Sequence, residues 1–376
     1  MSETASSTTR GPVNPAKWVA LLGRRDTPTD GLEDYCTFLG QALRQHGIEL
    51  MQERVRWMEK GWIGALRQIS RDSLAWRGRW VLLQYTALGW SRRGFTFGAL
   101  VALVILQRRG ARCAVVFHEP CRQPSGARLH ERFRGVYQDW VIRRLYGRAH
   151  KAIFTVPLET VSWLRKRETK GAFIPIGANI PQRVTRRITP FQSVQERKTV
   201  IVFAVTSAPK MLQEVKEISD VMREANKVIE RLRLVAVGRG TDEAKEQFEK
   251  ALEGSGVELV VRGVLPAEEV ALEFESAHAL LFVRGPITLR RGSALAGIAS
   301  GIPIVGYSDG SIDGPLKGAG IEWVPGGDRP GLAHALIRVL TDPPRWRELH
   351  ERNVLAQRDW FSWTRIGQRF YDLLGT

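Results

Sequence analysis

Short apolar runs alternate with longer mixed stretches along nearly the whole chain, and that alternation leaves few folds open. Trp18–Leu22 (WVALL), Trp80–Gln84 (WVLLQ), Ala114–Phe117 (AVVF), Ala152–Val156 and Phe173–Ile176 read as strands. Leu32–His46 (closed by Gly47), 127–149 and Glu159–Arg167 read as helices among them. The pattern then restarts. Thr199–Val205, Leu232–Val237, Glu258–Val261, Leu280–Val283 and Ile302–Gly306 read as strands, and 211–227, 266–277, Ala294–Ser300, 330–340 and 343–374 as helices. Strands apolar on both faces, each followed by a helix, pair in parallel and are covered on both sides. The fold class predicted is α/β, with two doubly wound sheets facing a cleft. In such sheets ligands bind beyond the carboxyl ends of the strands.

The expected division follows the breaks in this pattern. Residues 1–16 form a polar, Ser- and Thr-rich leader without the apolar core of a signal peptide. A first domain covers 17–186, and a linker covers 187–198 at the end of a polar, proline-containing stretch. A second domain covers 199–350, and a C-terminal helix, 351–376, has the option of crossing back to the first domain. The longest apolar run, Phe97–Leu106, is too short for a bilayer span, which takes about 20 residues, and reads as a buried helix.

Charge is distributed unevenly. The net charge is +17, yet residues 1–190 hold 32 Lys+Arg against 14 Asp+Glu, while the remainder holds 24 against 25. A one-sided excess predicts a face that meets phosphate, acidic lipid or nucleic acid. Cys36, Cys113 and Cys121 show no metal-ligand spacing and suit a reduced, cytoplasmic compartment.

The segment from Leu280 to Gly306, LLFVRGPITLRRGSALAGIASGIPIVG, carries the clearest chemistry. A buried strand leads into a basic loop, and Ser293 stands at the start of a small-residue helix. A helix N-terminus attracts anions, and arginine can grip a diphosphate with paired hydrogen bonds. Arg284, Arg290, Arg291 and Ser293 are therefore candidate phosphate ligands; the competing reading is a solvated basic loop over tight helix–sheet packing.

AGIASGIPIVG, from Ala296, resembles the Glu-Ala-x-Ala-x-Gly-x-Pro-Val-Val segment of glycosyltransferase family 4 and related GT-B enzymes. Other pieces follow in that family's order: DGLEDYCTFLGQALRQHG at 30–47, VVFHEP at 115–120, FIPIGANIP at 173–181, VGRG at 237–240 and GVLPAEEVALEFESAHALLFV at 263–283. The resemblance implies two Rossmann-like domains and places a loop around Asp30 and Gly31 near donor phosphates or acceptor. It also puts His118 by the transferred sugar and makes Lys210 the lysine that neutralises the donor diphosphate. The family's paired glutamates are replaced by Thr288 and Ala296, its arginine before the lysine by Val205, and its asparagine by Ile176. Two explanations stay open: arginines have taken over from the acidic pair, or catalysis has been lost.

His118 beside Glu119 could form a proton-transfer pair, since histidine titrates near neutrality. Asp309 and Asp313 read first as turn residues. Arg92 and Arg93 lie beside Trp90 and Phe95, and Arg143 and Arg144 lie on the basic helix 127–149. Aromatics interleaved with cations suit a bilayer interface, so these four arginines are the candidate membrane or acceptor face. The function expected is transfer of a sugar from a nucleotide-diphosphate donor to a lipid-linked or polysaccharide acceptor, on the cytoplasmic side of an anionic membrane. It calls for no metal or other cofactor. A catalytically silent GT-B-like scaffold and a polyanion-binding protein are the alternatives. Nucleic acid ranks lower, for want of a recognition motif.

Overall fold

The structure is a computed structural model that describes residues 16–27, 30–121, 129–164, 170–181, 197–310, 312 and 314–375. Residues 1–15 of the expected leader, 187–196 of the expected linker, and Asp313 lie outside them. The chain forms two compact units. One holds the described residues up to Ile174 together with those from Ile366, and the other is Pro175–Arg365.

The first unit runs β1 (Ala16–Leu22), α1 (Gly31–Arg44), β2 (Ile48–Arg54), α2 (Trp57–Asp72), β3 (Trp80–Tyr85), α3 (Phe97–Arg108), β4 (Arg112–Phe117), α4 (Leu129–Arg148), β5 (Lys151–Phe154) and β6 (Gly171–Phe173). All pairings are parallel, in the order β2-β1-β3-β4-β5-β6. Val19, Leu21, Val81, Leu83, Val115 and Phe117 alternate along three central strands to one face and pack with Leu103 and Leu106 of α3. Burying such a side chain contributes about 1.5–3 kcal/mol. The run Phe97–Leu106 is thus a core helix, as its length implied. Gly98 lets α3 approach α2, since a Cβ there would fall 2.1 Å from the Trp62 ring.

The second unit runs β7 (Lys198–Phe203), α5 (Met211–Asn226), β8 (Leu232–Val237), α6 (Lys245–Leu252), β9 (Glu258–Gly263), α7 (Ala267–Ser276), β10 (Ala279–Phe282), α8 (Gly292–Ala299), β11 (Ile304–Ser308), α9 (Gly314–Lys317), β12 (Ile321–Pro325), α10 (Arg329–Thr341) and α11 (Pro343–Ala356). Its sheet is again parallel, ordered β12-β11-β10-β7-β8-β9. The last helix, α12 (Trp363–Leu374), belongs from Ile366 onward to the first unit. There Tyr371 stacks on His46 at 4.8 Å, and the Trp80 indole donates to the Leu374 carbonyl at 2.6 Å.

Two expectations fail locally. Of the helix expected at Glu159–Arg167, the described residues, up to 164, form only a 3-10 turn, Leu158–Thr160, and Val161 is already extended, while 165–167 lie outside the described residues. Pro157 opens the turn, while the β-branched pair Thr160 and Val161 disfavours helix beyond it. The single helix expected over 343–374 breaks at a π-helical turn, Gln357–Phe361. Fully buried Phe361 holds that turn, and Ser362 starts α12 by accepting from Arg365 N at 3.3 Å. Among the described residues no helix is long and apolar enough to cross a membrane.

Candidate functional site

Each sheet reverses its strand order once, between β1 and β3 in the first unit and between β7 and β10 in the second. A doubly wound sheet opens a crevice at that reversal, where two successive loops diverge to opposite faces.

In the second unit the loops are 204–210, after β7, and 283–291, after β10. Ala204 has φ +68° and is the one non-glycine residue with positive φ among those described. Such strain costs on the order of 1 kcal/mol and persists where surroundings impose it. They do so here. Ala204 N and Val205 N donate to the carbonyls of Val237 and Arg239, carrying the pairing past the end of β7. Gly240, at φ +79°, lies so close that a Cβ would sit 2.4 Å from the Val205 carbonyl oxygen. That contact gives the VGRG segment its physical reason. Farther along, Thr206 N donates to the Glu214 carboxylate at 2.8 Å, and Arg284 Nε reaches Thr206 Oγ1 at 3.4 Å, joining the two loops.

The second loop is folded by small residues. A Cβ on Gly306 would meet Ile287 at 2.8 Å, and one on Gly297 would meet Leu280 at 2.9 Å. Glycine at both places lets the 283–291 loop and α8 lie flat on β10 and β11. Arg291 is the N-cap residue of α8, which has no side-chain cap. Burial, then the charges of Arg284 and Arg290, push the Arg291 pKa down, and Glu214 partly offsets them. None of these three guanidinium groups has an ion-pair partner among the described residues, and neither does exposed Lys210, which precedes α5. Ser293 is half-buried in the first turn of α8. Thus Arg284, Arg290, Arg291 and Ser293 lie together on one loop and helix start. Ala296 is buried within α8, and Thr288 is half-buried in the loop. Asp309 is exposed in a turn closed by Gly310 at φ +86°.

The first unit's crevice is built differently. Asp30 caps α1, accepting from Leu32 N at 3.0 Å and Glu33 N at 3.2 Å, and pairs with Arg54 at 3.0 Å. Arg54 also pairs with Glu33 and donates to the Gly23 carbonyl. The Asp30 carboxylate is therefore engaged in folding its own loop, with Gly31 as the first helical residue. Gly23 touches Gly89 of the loop after β3, where a Cβ would sit 2.1 Å from the carbonyl oxygen.

His118 follows β4. Its Nε2 lies 2.8 Å from Gln84 Oε1, and the Tyr35 ring meets it edge-on at 4.9 Å. Gln84 is fully buried in β3, and its amide nitrogen faces the Leu82 carbonyl. The amide oxygen is thus the acceptor, so His118 carries its proton on Nε2. Burial lowers the His118 pKa to about 4, which leaves the ring neutral at pH 7. Glu119 turns away to accept from Ala87 N at 2.9 Å, so the adjacent His118 and Glu119 do not bond to each other. Arg92, Arg93, Arg143 and Arg144 are exposed, and Arg143 and Arg144 lie over Trp163 and Trp140.

Gln84, Thr206 and Glu214 were not singled out in the sequence. Gln84 left a usable signal, a polar residue inside an otherwise apolar strand. Glu214 left a weaker one, as an acid in the first turn of a helix that follows a candidate phosphate lysine.

No protein-family model matches this sequence, and no curated protein matches it. Solved structures do. The chain is similar over 96% of its length to a glycosyltransferase from Rickettsia africae, with TM-score 0.65, 10% identity and 98% of that chain covered. It is similar to HepE of Anabaena in complex with UDP and glucose, with TM-score 0.63, 11% identity, and 96% of this chain and 100% of that one covered. A UDP-forming α,α-trehalose-phosphate synthase from Burkholderia vietnamiensis gives TM-score 0.63 at 12% identity, covering 96% and 97%. The fold is the GT-B type. At these identities the likeness fixes architecture, and the chemistry must come from the residues.

Proposed function

We propose that this chain is a glycosyltransferase that takes a sugar from a nucleotide-diphosphate donor held by the second unit. The acceptor is a membrane-associated molecule, lipid-linked or polysaccharide, received by the first unit. One observation carries the donor half: three arginines without ion-pair partners among the described residues lie at the strand reversal of the second sheet, beside an uncapped helix start. When a glycosidic bond to a nucleotide diphosphate breaks, negative charge grows on the leaving phosphate. Fixed cations preorganised around it stabilise that charge. Arg284, Arg290 and Arg291 supply it here, with Lys210 and Ser293 as further diphosphate ligands. His118 and Glu119 are assigned to the transferred sugar. Because His118 is neutral, its part is a hydrogen bond to a sugar hydroxyl or acceptance of a proton, and its pKa is too low for it to be a cationic acid at pH 7.

The test is a thermal-shift series with UDP, GDP, ADP, dTDP and CMP and their sugar conjugates, UDP first because HepE binds it. Ligand at about 100 times its dissociation constant stabilises the folded state by about 2.7 kcal/mol. A selective rise with one nucleotide diphosphate, lost in Arg291→Ala, is the expected result. No rise with any of them removes the donor assignment. Binding without turnover of the sugar conjugate would leave the silent scaffold, with Thr288 and Ala296 as its marks. Equal response to inorganic polyphosphate would leave the polyanion binder.

A further inference from the structure

The exposed apolar side chains of the first unit are not scattered. Phe133, Val136 and Trp140 of α4 are 65%, 64% and 42% exposed. At 100° per residue they form one stripe along the helix. Arg143 and Arg144 flank it on either side one turn farther on, and Arg144 covers the Trp140 ring at 5.6 Å. The stripe continues onto the loop before α3. Phe95 packs against Tyr137 at 5.3 Å, and Tyr137 against Trp140 at 6.3 Å. Phe95 and Phe97 remain about half exposed, with Arg92 and Arg93 beside them.

This loop is held in place. Buried Gln138 of α4 donates to the Gly94 carbonyl at 3.1 Å, and Ser91 Oγ accepts from Arg93 N and Phe95 N. Gly94 is suited to the contact, with φ +81° and a Cβ position only 2.4 Å from the Gln138 amide. Arg92 Nε then reaches Met58 Sδ at 3.2 Å, extending the patch to the first turn of α2. Exposed Ile63 follows just past a break in α2 at Gly61. The acids nearby are Glu59 on α2 and Asp139 and Glu131 on α4. Helical spacing places Glu131 on the side opposite the stripe and Asp139 at its flank.

We infer that this face is a membrane-insertion surface in which Phe95, Phe97, Phe133, Val136 and Trp140 enter the headgroup region of an anionic bilayer. Arg92, Arg93, Arg143 and Arg144 rest at the phosphate level around them. The inference rests on the membrane-acceptor reading above for its occupant and adds to its four arginines the exposed apolar stripe of α4 and the residues Phe95 and Phe97. Aromatic and aliphatic groups ringed by arginine fit the boundary between acyl chains and phosphates, and the cations add attraction to acidic lipid. A neutral protein partner would leave the arginine rim uncompensated.

The test is co-sedimentation of the full chain with vesicles of phosphatidylcholine alone or mixed with phosphatidylglycerol, at low and high salt. Wild type is expected on the mixed vesicles at low salt, with a measurable fraction still bound at high salt, because screening removes the charge attraction and leaves the apolar one. Phe133→Ser with Trp140→Ser is expected to lower the low-salt partition coefficient about tenfold and abolish the high-salt fraction. Leu272→Ser, at an exposed apolar site in the second unit, should change nothing. Val136→Asp repeats the test with one exposed substitution if the double variant melts early. The inference falls if these α4 variants bind as wild type does, if wild type ignores the mixed vesicles, or if its binding vanishes entirely at high salt. It falls too if light scattering shows a dimer that the α4 variants abolish, which makes the face a contact between copies. Nucleotide-induced thermal shifts, read on the same variants, report the donor site separately.

Discussion

Both crevices open where a parallel sheet reverses its strand order, and they differ in what satisfies their charges. In the first unit the loop after β1 is electrically closed: Arg54 is shared by Asp30 and Glu33, and Asp30 caps α1. His118, across the sheet reversal, is neutral and tied to Gln84. In the second unit Arg284, Arg290 and Arg291 have no ion-pair partner among the described residues, and Arg291 feels Glu214 as a nearby acid. One strand-order reversal is therefore lined by paired charges, and the other by arginines with no ion pair among the described residues. A fold supplies the place, and the charges left without partners decide the guest.

Removing the second unit's cations should have the largest effect. Charged hydrogen bonds contribute about 1.5–3 kcal/mol each, so Arg284→Ala with Arg291→Ala should weaken nucleotide-diphosphate binding by a factor of about 10² or more. Calorimetric titration checks it. The same protein should be no less stable without ligand, because like charges have been separated; a lower melting temperature would mean the arginines are structural and the contrast is false.

Next comes the frame of that crevice. Gly240→Ala places a Cβ against the Val205 carbonyl at a positive φ, which should cost about 2–4 kcal/mol by strain and displacement. Urea unfolding measures the loss, and nucleotide affinity should fall with it because the 204–210 loop moves.

His118 sharpens the other side. Its folded pKa, about 4, lies below its ordinary value of 6.5. Protons then bind the unfolded chain more readily, so the contribution is complete above pH 6.5 and is lost as pH falls toward 4. Wild type should lose on the order of 2 kcal/mol over that window relative to His118→Asn. Equal acid sensitivity of the two proteins would show that the ring is not held neutral.

The smallest effect belongs to the closed loop. Asp30→Ala removes a cap and one Arg54 partner and should cost about 1 kcal/mol in unfolding experiments, with little change in nucleotide binding. A large loss of binding would instead make Asp30 a ligand residue, as its loop's resemblance implies.

The sequence was most legible where a strand is buried on both faces, because a continuous apolar run such as WVLLQ or TVIVFAV has one interpretation in an alternating chain. Two edge strands, β2 and β12, were not seen, although β9, at the other edge of the second sheet, was. β2 (IELMQER) and β12 (IEWVP) carry polar residues that interrupt the apolar run, and in β12 that residue, Glu322, is buried in ion pairs with Arg338 and Arg345. The basic loop and its arginines could be found from composition and position. Gln84 with His118, and Thr206 with Glu214 and Arg284, could not, because their partners lie 34 and 78 positions apart in two of those contacts. Only the folded sheet brings them together.

One feature of the fold bears on how the chain is made. The first unit is not finished when its own strands have been synthesised, because α12 supplies its last surface: the seat for His46 and Ala42, and the carbonyl that receives the Trp80 indole. During translation the intervening unit, Pro175–Arg365, emerges whole before those residues do. Vectorial synthesis usually lets the leading domain settle first. Here the trailing unit is complete in the chain before the leading one has received its last helix.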